Sequence, residues 1–490
     1  MGDPRPASSW LLERGRPGVL VGVGVVLALL VGALGALKLT DAFALVAGAG
    51  LVLAVLVRPF IGGIVLVAVV PAVSGLAPGV PVRYVRISEL LIGAVGVTLL
   101  VFSRRRDRTP WEALDWLLLA YGLGWAAFAA YDAVTTGEHL TLSLWGTALG
   151  QLQFFLLYRG VRLSVRTPSE RRTAVRATLV AAGVISCIAL AQEIHLPGLN
   201  RTILRLTAGP SQPGGHLMRA TGPFDNWAAL AGYLLPLVLL LVAFTLGDAR
   251  LHGHRRAIGL LGLLSVGLLT TVELSAIACL LACLLWLGSR YRKVRFVATR
   301  VGLAVLAAGI VASPLIAAKI SSETAKTAGL ARGSIMPQTI AFRIQVWTQQ
   351  YLPAIGHRPL SGFGVVLPSS IAWPYPESQY IALLIEGGLP VLLLFLGLTG
   401  ATFERCARAA RSLDPFDAAL GRALLVTGGA LVAMDLVWPY VSNGGMPQML
   451  WALLGVAAPG WAAVERRPAQ RRSVAVPAEL GGRLAGAVPT

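Results

Sequence analysis

The chain has 490 residues, of which 56% are hydrophobic and 13% charged, with a mean hydropathy of +0.71. An average soluble domain carries about 25% charged residues, so these values exclude an ordinary soluble enzyme and a disordered chain. The net charge of +19, from 42 Lys+Arg against 23 Asp+Glu, has two readings, a nucleic-acid surface or the basic cytoplasmic loops of a multi-span membrane protein, and they differ in where the cations fall.

A bilayer core takes about 20 apolar residues as helix. In chain order the candidate spans are 18–37, 42–57, 59–73, 87–102, 113–130, 140–158, 174–192, 226–246, 257–270, 274–288, 300–318, 378–402, 421–439 and 447–463. The predicted fold class is therefore all-α, a polytopic transmembrane protein of about 14 spans, with Thr270–Ser275 either a turn or a break in one helix. The first run, Val19–Leu37, is long enough to span and lacks a small-residue exit, so it reads as a helix that stays. Residues 1–17 are then a cytoplasmic N-terminus, 18–463 a transmembrane domain, and 464–490 a polar, disordered cytoplasmic tail.

With the N-terminus in the cytoplasm and the spans alternating, 31 of the 42 cations face inward. The 11 outside are Lys38, Arg83, Arg86, Arg201, Arg205, Arg219, Lys319, Lys326, Arg332, Arg343 and Arg358. This bias supports a bacterial plasma-membrane protein with both ends cytoplasmic and argues against nucleic acid. Eight of the outer cations lie in two long extracytoplasmic loops, 193–225 and 319–377. Positive charge on the disfavoured side calls for a reason, and an anionic ligand is one. The second loop contains a small, polar stretch, SETAKTAGLARG, and then an amphipathic helix on which Ile340, Ile344, Trp347 and Tyr351 share a face.

Three segments could carry chemistry. In RATGPFDNW (219–227), Gly222-Pro223 marks a tight turn and Asp225 or Asn226 a helix cap, while the Arg219 guanidinium could hold a phosphate with a bidentate fork or simply snorkel. In 342–364, Arg343 has the same phosphate-binding capacity, and His357 and Arg358 precede a turn; a lone loop His is more often a surface residue than a catalyst. In PESQYIALLIEGGLP (376–390), Pro376-Glu377 is a helix-start signal, or Glu377 is a general base at the membrane surface. Glu386 is an intramembrane acid beside Gly387-Gly388, a candidate functional group or an arginine's partner; Glu273 and Asp435 are further span acids, and Glu89 reads as a helix-start carboxylate. Cys187, Cys279, Cys283 and Cys406 form no metal-site pattern, and no Walker loop, dinucleotide fingerprint, HExxH or GxSxG is present, so neither cofactor nor metal is expected.

Taken in this order, the segments resemble the O-antigen ligase and O-antigen polymerase superfamily, many-spanned GT-C-type glycosyltransferases. The matching residues are Arg219, Gly222, Phe224 and Asn226; then Arg343, Trp347, His357, Pro359, Leu360, Gly362 and Gly364; then Tyr380, Glu386, Gly387 and Pro390. They cover roughly 219–400, under half the chain. The resemblance implies transfer of a glycan from a polyprenyl diphosphate to an acceptor hydroxyl on the outer face, with Arg219 and Arg343 stabilising the diphosphate and no metal required. It implies substrate contacts from Arg358, His357, Tyr380 and Glu386. Two positions depart from the family pattern. Glu377-Ser378 stands where ligases carry a histidine dyad, leaving Glu377 as the base, and Glu273-Leu274-Ser275 stands where a Ser-Arg is common. Both favour a polymerase-like or uncharacterised branch over a true lipopolysaccharide ligase.

The expectation is a cell-envelope polysaccharide polymerase or ligase, with catalytic Glu377, Arg219 and Arg343. Its partners would be a polyprenyl-diphosphate-linked glycan, a glycan or glycolipid acceptor, membrane lipids and assembly proteins. The rival readings are a lipid-linked oligosaccharide flippase or other secondary transporter, which predicts charge at the midplane and short outer loops, and a non-catalytic membrane scaffold.

Overall fold

The computed structural model describes residues 39–77, 86–103, 109–136, 142–207, 219–246, 251, 253–290, 338–442 and 444–474, with isolated residues between 291 and 337. The expected spans 18–37 and, for the most part, 300–318 lie outside the described residues, as do SETAKTAGLARG and the chain after 474.

The described residues form helices and no strands. The first seven are α1 (Leu39–Val57), α2 (Pro59–Val73, with a π turn at Val65–Val69), α3 (Ile87–Ser103), α4 (Ala113–Thr136), α5 (Leu142–Leu149), α6 (Leu152–Ser164) and α7 (Pro168–Glu193). They are followed by α8 (Leu199–Thr207), α9 (Trp227–Leu246), α10 (His254–Thr270), α11 (Leu274–Arg290) and α12, which runs Gln338–Val346, a π turn Trp347–Tyr351, and Leu352–His357. The last three are α13 (Gln379–Ala409), α14 (Pro415–Met434) and α15 (Met446–Val474). Five of them, α4, α7, α9, α13 and α14, are long and apolar enough to cross a membrane by length and composition. The regular structure of the described residues is thus all helical, and these helices fit a membrane protein.

Helix α9 is apolar all round, as a helix enclosed by others must be, and 94% of its most apolar stretch is buried. It packs against α10, α11, α14 and α15. A second layer pairs α3 with α6, α4 with α13, and α6 with α15. The stretch expected as one span at 140–158 is two helices, α5 and α6, parted at Gly150-Gln151. Thr270–Ser275 is a turn between separate helices: Thr271 and Val272 donate back to Leu268 and Leu269, and Val272 takes φ 48°. At the other terminus, α15 runs to Val474.

One end of the bundle is tied by arginines. Asp115 accepts from Arg162 at 2.6 Å and Arg159 at 3.2 Å, and Glu112 pairs with both Arg162 and Arg405, joining α4, α6 and α13. Arg171, at the start of α7, pairs with Asp417 of α14 and donates to the Val456 carbonyl of α15 at 2.8 Å. A buried ion is tolerated only with such partners. The start of α7 is itself fixed by a reciprocal cap: Thr167 accepts from the Glu170 N–H, and the Glu170 carboxylate accepts from the Thr167 N–H.

Candidate functional site

The opposite end carries the residues singled out above. The Arg219–Trp227 turn is held by Gln192 of α7, whose Oε1 accepts from the N–H groups of Thr221 (3.1 Å) and Gly222 (2.7 Å). Gly222 has φ 56°, a left-handed conformation that glycine adopts without steric cost. Phe224 is fully buried against Tyr233. Asn226 Oδ1 accepts from the Ala229 N–H at 2.8 Å, so Asn226 caps α9. Asp225 is left beside the cap, and burial raises its carboxyl above the ordinary range while Arg86 opposes the shift. The turn presents Arg219, whose guanidinium lies 4.3 Å over the Trp227 ring and 4.0 Å from Glu273 Oε2.

The motifs HRPLSGFG and EGGLP, read separately in the sequence, form one structural unit. Pro390 has no N–H to donate to the Glu386 carbonyl four residues back, so α13 breaks, and Gly388 takes φ 66°, ψ −169°. The 358–364 turn fills the gap. Phe363 N–H donates to the Ile385 carbonyl (2.7 Å), Gly364 N–H to the Glu386 carbonyl (2.9 Å), and Leu389 N–H to the Pro359 carbonyl (2.8 Å). The fit requires glycine: a Cβ on Gly388 would lie 2.5 Å from the Leu360 carbonyl carbon, and one on Gly362 2.7 Å from that of Glu386. Arg358 anchors the turn on α4 through Asp132 at 2.6 Å.

Helix α12 packs on this unit. Its π turn inserts an extra residue, so the segments on either side present different faces. Before it Val346 points inward; at its end Tyr351 does, and after it Ala354, packing with Ile371 and Ile385. The face expected to unite Ile340, Ile344, Trp347 and Tyr351 is therefore divided, with Ile340 and Ile344 exposed and Tyr351 buried.

Arg343, on α12, meets Glu377: Nε donates to Oε2 at 3.2 Å. Glu377 does not open the helix. It precedes the first helical residue by two and is held at φ 55°, a strained conformation for a residue with a side chain. Its second oxygen accepts from the Trp373 indole N–H at 3.3 Å, and the Trp347 indole N–H fixes the Pro376 carbonyl at 2.7 Å. Behind it, Ser378 Oγ and Gln379 N–H both donate to the Asp435 carbonyl (3.2 and 2.8 Å). Asp435 Oδ1 accepts from the Tyr440 N–H at 3.2 Å. Ser275 Oγ lies 2.9 Å from the Tyr440 hydroxyl and donates to Glu273 Oε1 at 2.8 Å. A relay with covalent steps thus joins the two arginines: Glu377 binds Arg343, its chain neighbours Ser378 and Gln379 bind the Asp435 carbonyl, the Asp435 carboxylate binds the Tyr440 amide, and the Tyr440 hydroxyl reaches Glu273 and Arg219 through Ser275. Burial, with Glu377 and Glu386 adding to it, keeps the nearby Tyr351 phenol protonated well above its ordinary range.

Among the other candidates, Tyr380 spends its hydroxyl on the Val432 carbonyl at 3.1 Å, tying α13 to α14. His357 is exposed at the end of α12, with no hydrogen bond joining it to Arg343 or Glu377. Glu386 contributes its backbone carbonyl to the motif junction. Tyr440 and Trp373 enter the site without having been marked by the sequence, and Ser275 was noted there only within Glu273-Leu274-Ser275. The one available signal was the Trp373-Pro374-Tyr375-Pro376 run, two aromatics stiffened by prolines in a loop.

The arrangement offers two guanidiniums, each beside a carboxylate, at one end of an apolar bundle. Residues 257–396 match the family model described as O-antigen ligase. This segment contains Glu273, Arg343, Glu377 and the motif junction, while Arg219 precedes it. No curated protein matches the chain.

Proposed function

We propose that this chain, whose residues 257–396 match the family model described as O-antigen ligase, is a polysaccharide polymerase of the cell envelope that takes its glycan from a polyprenyl diphosphate. The family match supports an O-antigen ligase- or polymerase-type enzyme acting on lipid-linked glycans and glycan acceptors. The reading assigns Arg219 and Arg343 to the diphosphate and Glu377 to the acceptor hydroxyl. As the bond between the anomeric carbon and the phosphate oxygen breaks, the leaving diphosphate keeps the electron pair, and two guanidinium forks neutralise it without a metal. The acceptor oxygen bonds to the anomeric carbon and its proton passes to Glu377.

The observation that carries the reading is the Arg343–Glu377 pair at 3.2 Å. In it the proposed base and a proposed phosphate ligand share one contact, which an arriving diphosphate would open by taking the guanidinium. Glu377-Ser378 in place of a histidine dyad favours the polymerase branch over the ligase. The same reading places about 14 spans in a bacterial plasma membrane, with both termini cytoplasmic, on the strength of the 31-to-11 cation bias. The test is polymer yield and chain length in cells expressing Arg219→Ala or Arg343→Ala at matched protein levels. Both should fall sharply; unchanged polymer in both variants overturns the reading.

A further inference from the structure

At the Glu377 oxygen that Arg343 does not bind begins a tier of aromatic rings that the diphosphate chemistry does not use. Trp373 meets Phe342 edge-on at 5.2 Å and Tyr375 at 5.7 Å. Trp373 is fixed at backbone and ring: its backbone N–H donates to Gln350 Oε1 (3.0 Å), its carbonyl accepts from the Tyr351 hydroxyl (2.8 Å), and its ring N–H donates to Glu377. Pro374 and Pro376 restrict the backbone on either side of Tyr375. Despite this fixing, Trp373 remains 37% exposed and Tyr375 55%.

Rigid, exposed rings with carboxylate and amide groups at their edge suit one ligand class. A pyranose has an apolar face of C–H groups and a rim of hydroxyls. The C–H face is attracted to the negative face of an aromatic ring, and the hydroxyls need acceptors alongside. A tryptophan that merely anchors a protein at the bilayer interface needs no such set of hydrogen bonds, and acyl chains gain nothing from Glu377 or Gln350 at the ring edge. The two Glu377 oxygens also divide the space, Oε2 toward Arg343 and Oε1 toward Trp373.

We propose that Trp373 and Tyr375 form the stacking surface for a pyranose ring of the acceptor glycan, with Glu377 accepting a hydrogen bond from one of its hydroxyls. The role as acceptor site rests on the transferase reading above; sugar binding itself does not.

The experiment is saturation-transfer NMR on the full-length protein in detergent micelles, with phosphate-free glucan, galactan, mannan and rhamnan oligosaccharides as probes. At least one probe should receive saturation on its ring C–H protons. Trp373→Ala and Tyr375→Ala should each weaken its binding about tenfold, the scale of one aromatic contact, while Trp373→Phe, which keeps a ring, should retain most of it. Tyr375 is exposed enough that its variant isolates stacking from folding. No transfer from any probe, or wild-type binding in both alanine variants, overturns the proposal. So does strong quenching, by brominated lipids in nanodiscs, of the emission that Trp373→Phe removes, because the ring then faces acyl chains. The probes carry no phosphate, so loss of sugar binding is read separately from failure of the arginine variants to affect polymer.

Discussion

The Tyr440 hydroxyl lies 2.9 Å from Ser275 Oγ, and this contact joins two halves of the site that are 165 residues apart in sequence. Since Ser275 donates to Glu273, Tyr440 supplies the proton in the bond between them. Tyr440→Phe should remove that bond at a cost of about 1 kcal/mol in stability, while leaving Ser275 on Glu273. If the relay positions the arginines, turnover falls more than the shift in Tm accounts for. Paired measurements of Tm and polymerisation rate check this.

Glu377→Gln keeps the size of the side chain and removes its charge. A lost general base lowers the rate by about 10²–10⁴-fold. The sign for the donor is opposite: Arg343, no longer held by a carboxylate, is freed for phosphate, so donor KM should stay level or fall. Steady-state kinetics with varied donor separate the two effects. A rate drop accompanied by a raised donor KM would assign Glu377 to holding Arg343 in place.

Gly388→Ala should be among the most damaging changes in the chain. The left-handed φ alone costs about 1–3 kcal/mol for a residue with a Cβ, and that Cβ would also press on the Leu360 carbonyl carbon at 2.5 Å. Gly397, in the same helix, has nothing within 4 Å of its would-be Cβ, so Gly397→Ala should be neutral or slightly stabilising. Thermal unfolding of the two purified variants gives the comparison.

Asp225 supplies a pH test. Burial raises its carboxyl above the ordinary 3.8, with Arg86 as the opposing influence. A carboxyl raised in the folded state holds its proton there to higher pH than in the unfolded chain. Stability is therefore lost as pH climbs from the unfolded value through the folded one. Asp225→Asn should match the native protein below that window and exceed it in Tm at neutral pH. A gap in Tm that is independent of pH would count against the burial account.

The sequence made the apolar helices and the order of the three motifs legible, because hydropathy and spacing are local properties. The start of α7 at Pro168, several residues before the expected 174, was hidden because its first turns are rich in arginine. Arg159, Arg162, Arg171 and Arg405 were legible as a topology signal; their ties to Asp115, Glu112 and Asp417 were not, because ion pairs between helices depend on rotation about each axis. Arg219 and Arg343 were marked by charge on the disfavoured side, and Asn226 by its place before a span. Tyr440 carried no local mark, since its role comes from a neighbour across the bundle. The face of α12 was misjudged because a π turn leaves no signature in a 3.6-residue pattern.

The exchange of hydrogen bonds at the break in α13 has a dynamic consequence. The Phe363 and Gly364 amides are satisfied by carbonyls of the helix, and the Leu389 amide by a carbonyl of the turn. None of the three can be released to solvent while the other element stays in place. The 358–364 turn and the 385–389 stretch of α13 therefore open as a single cooperative unit, and their amides should show one common rate of hydrogen exchange.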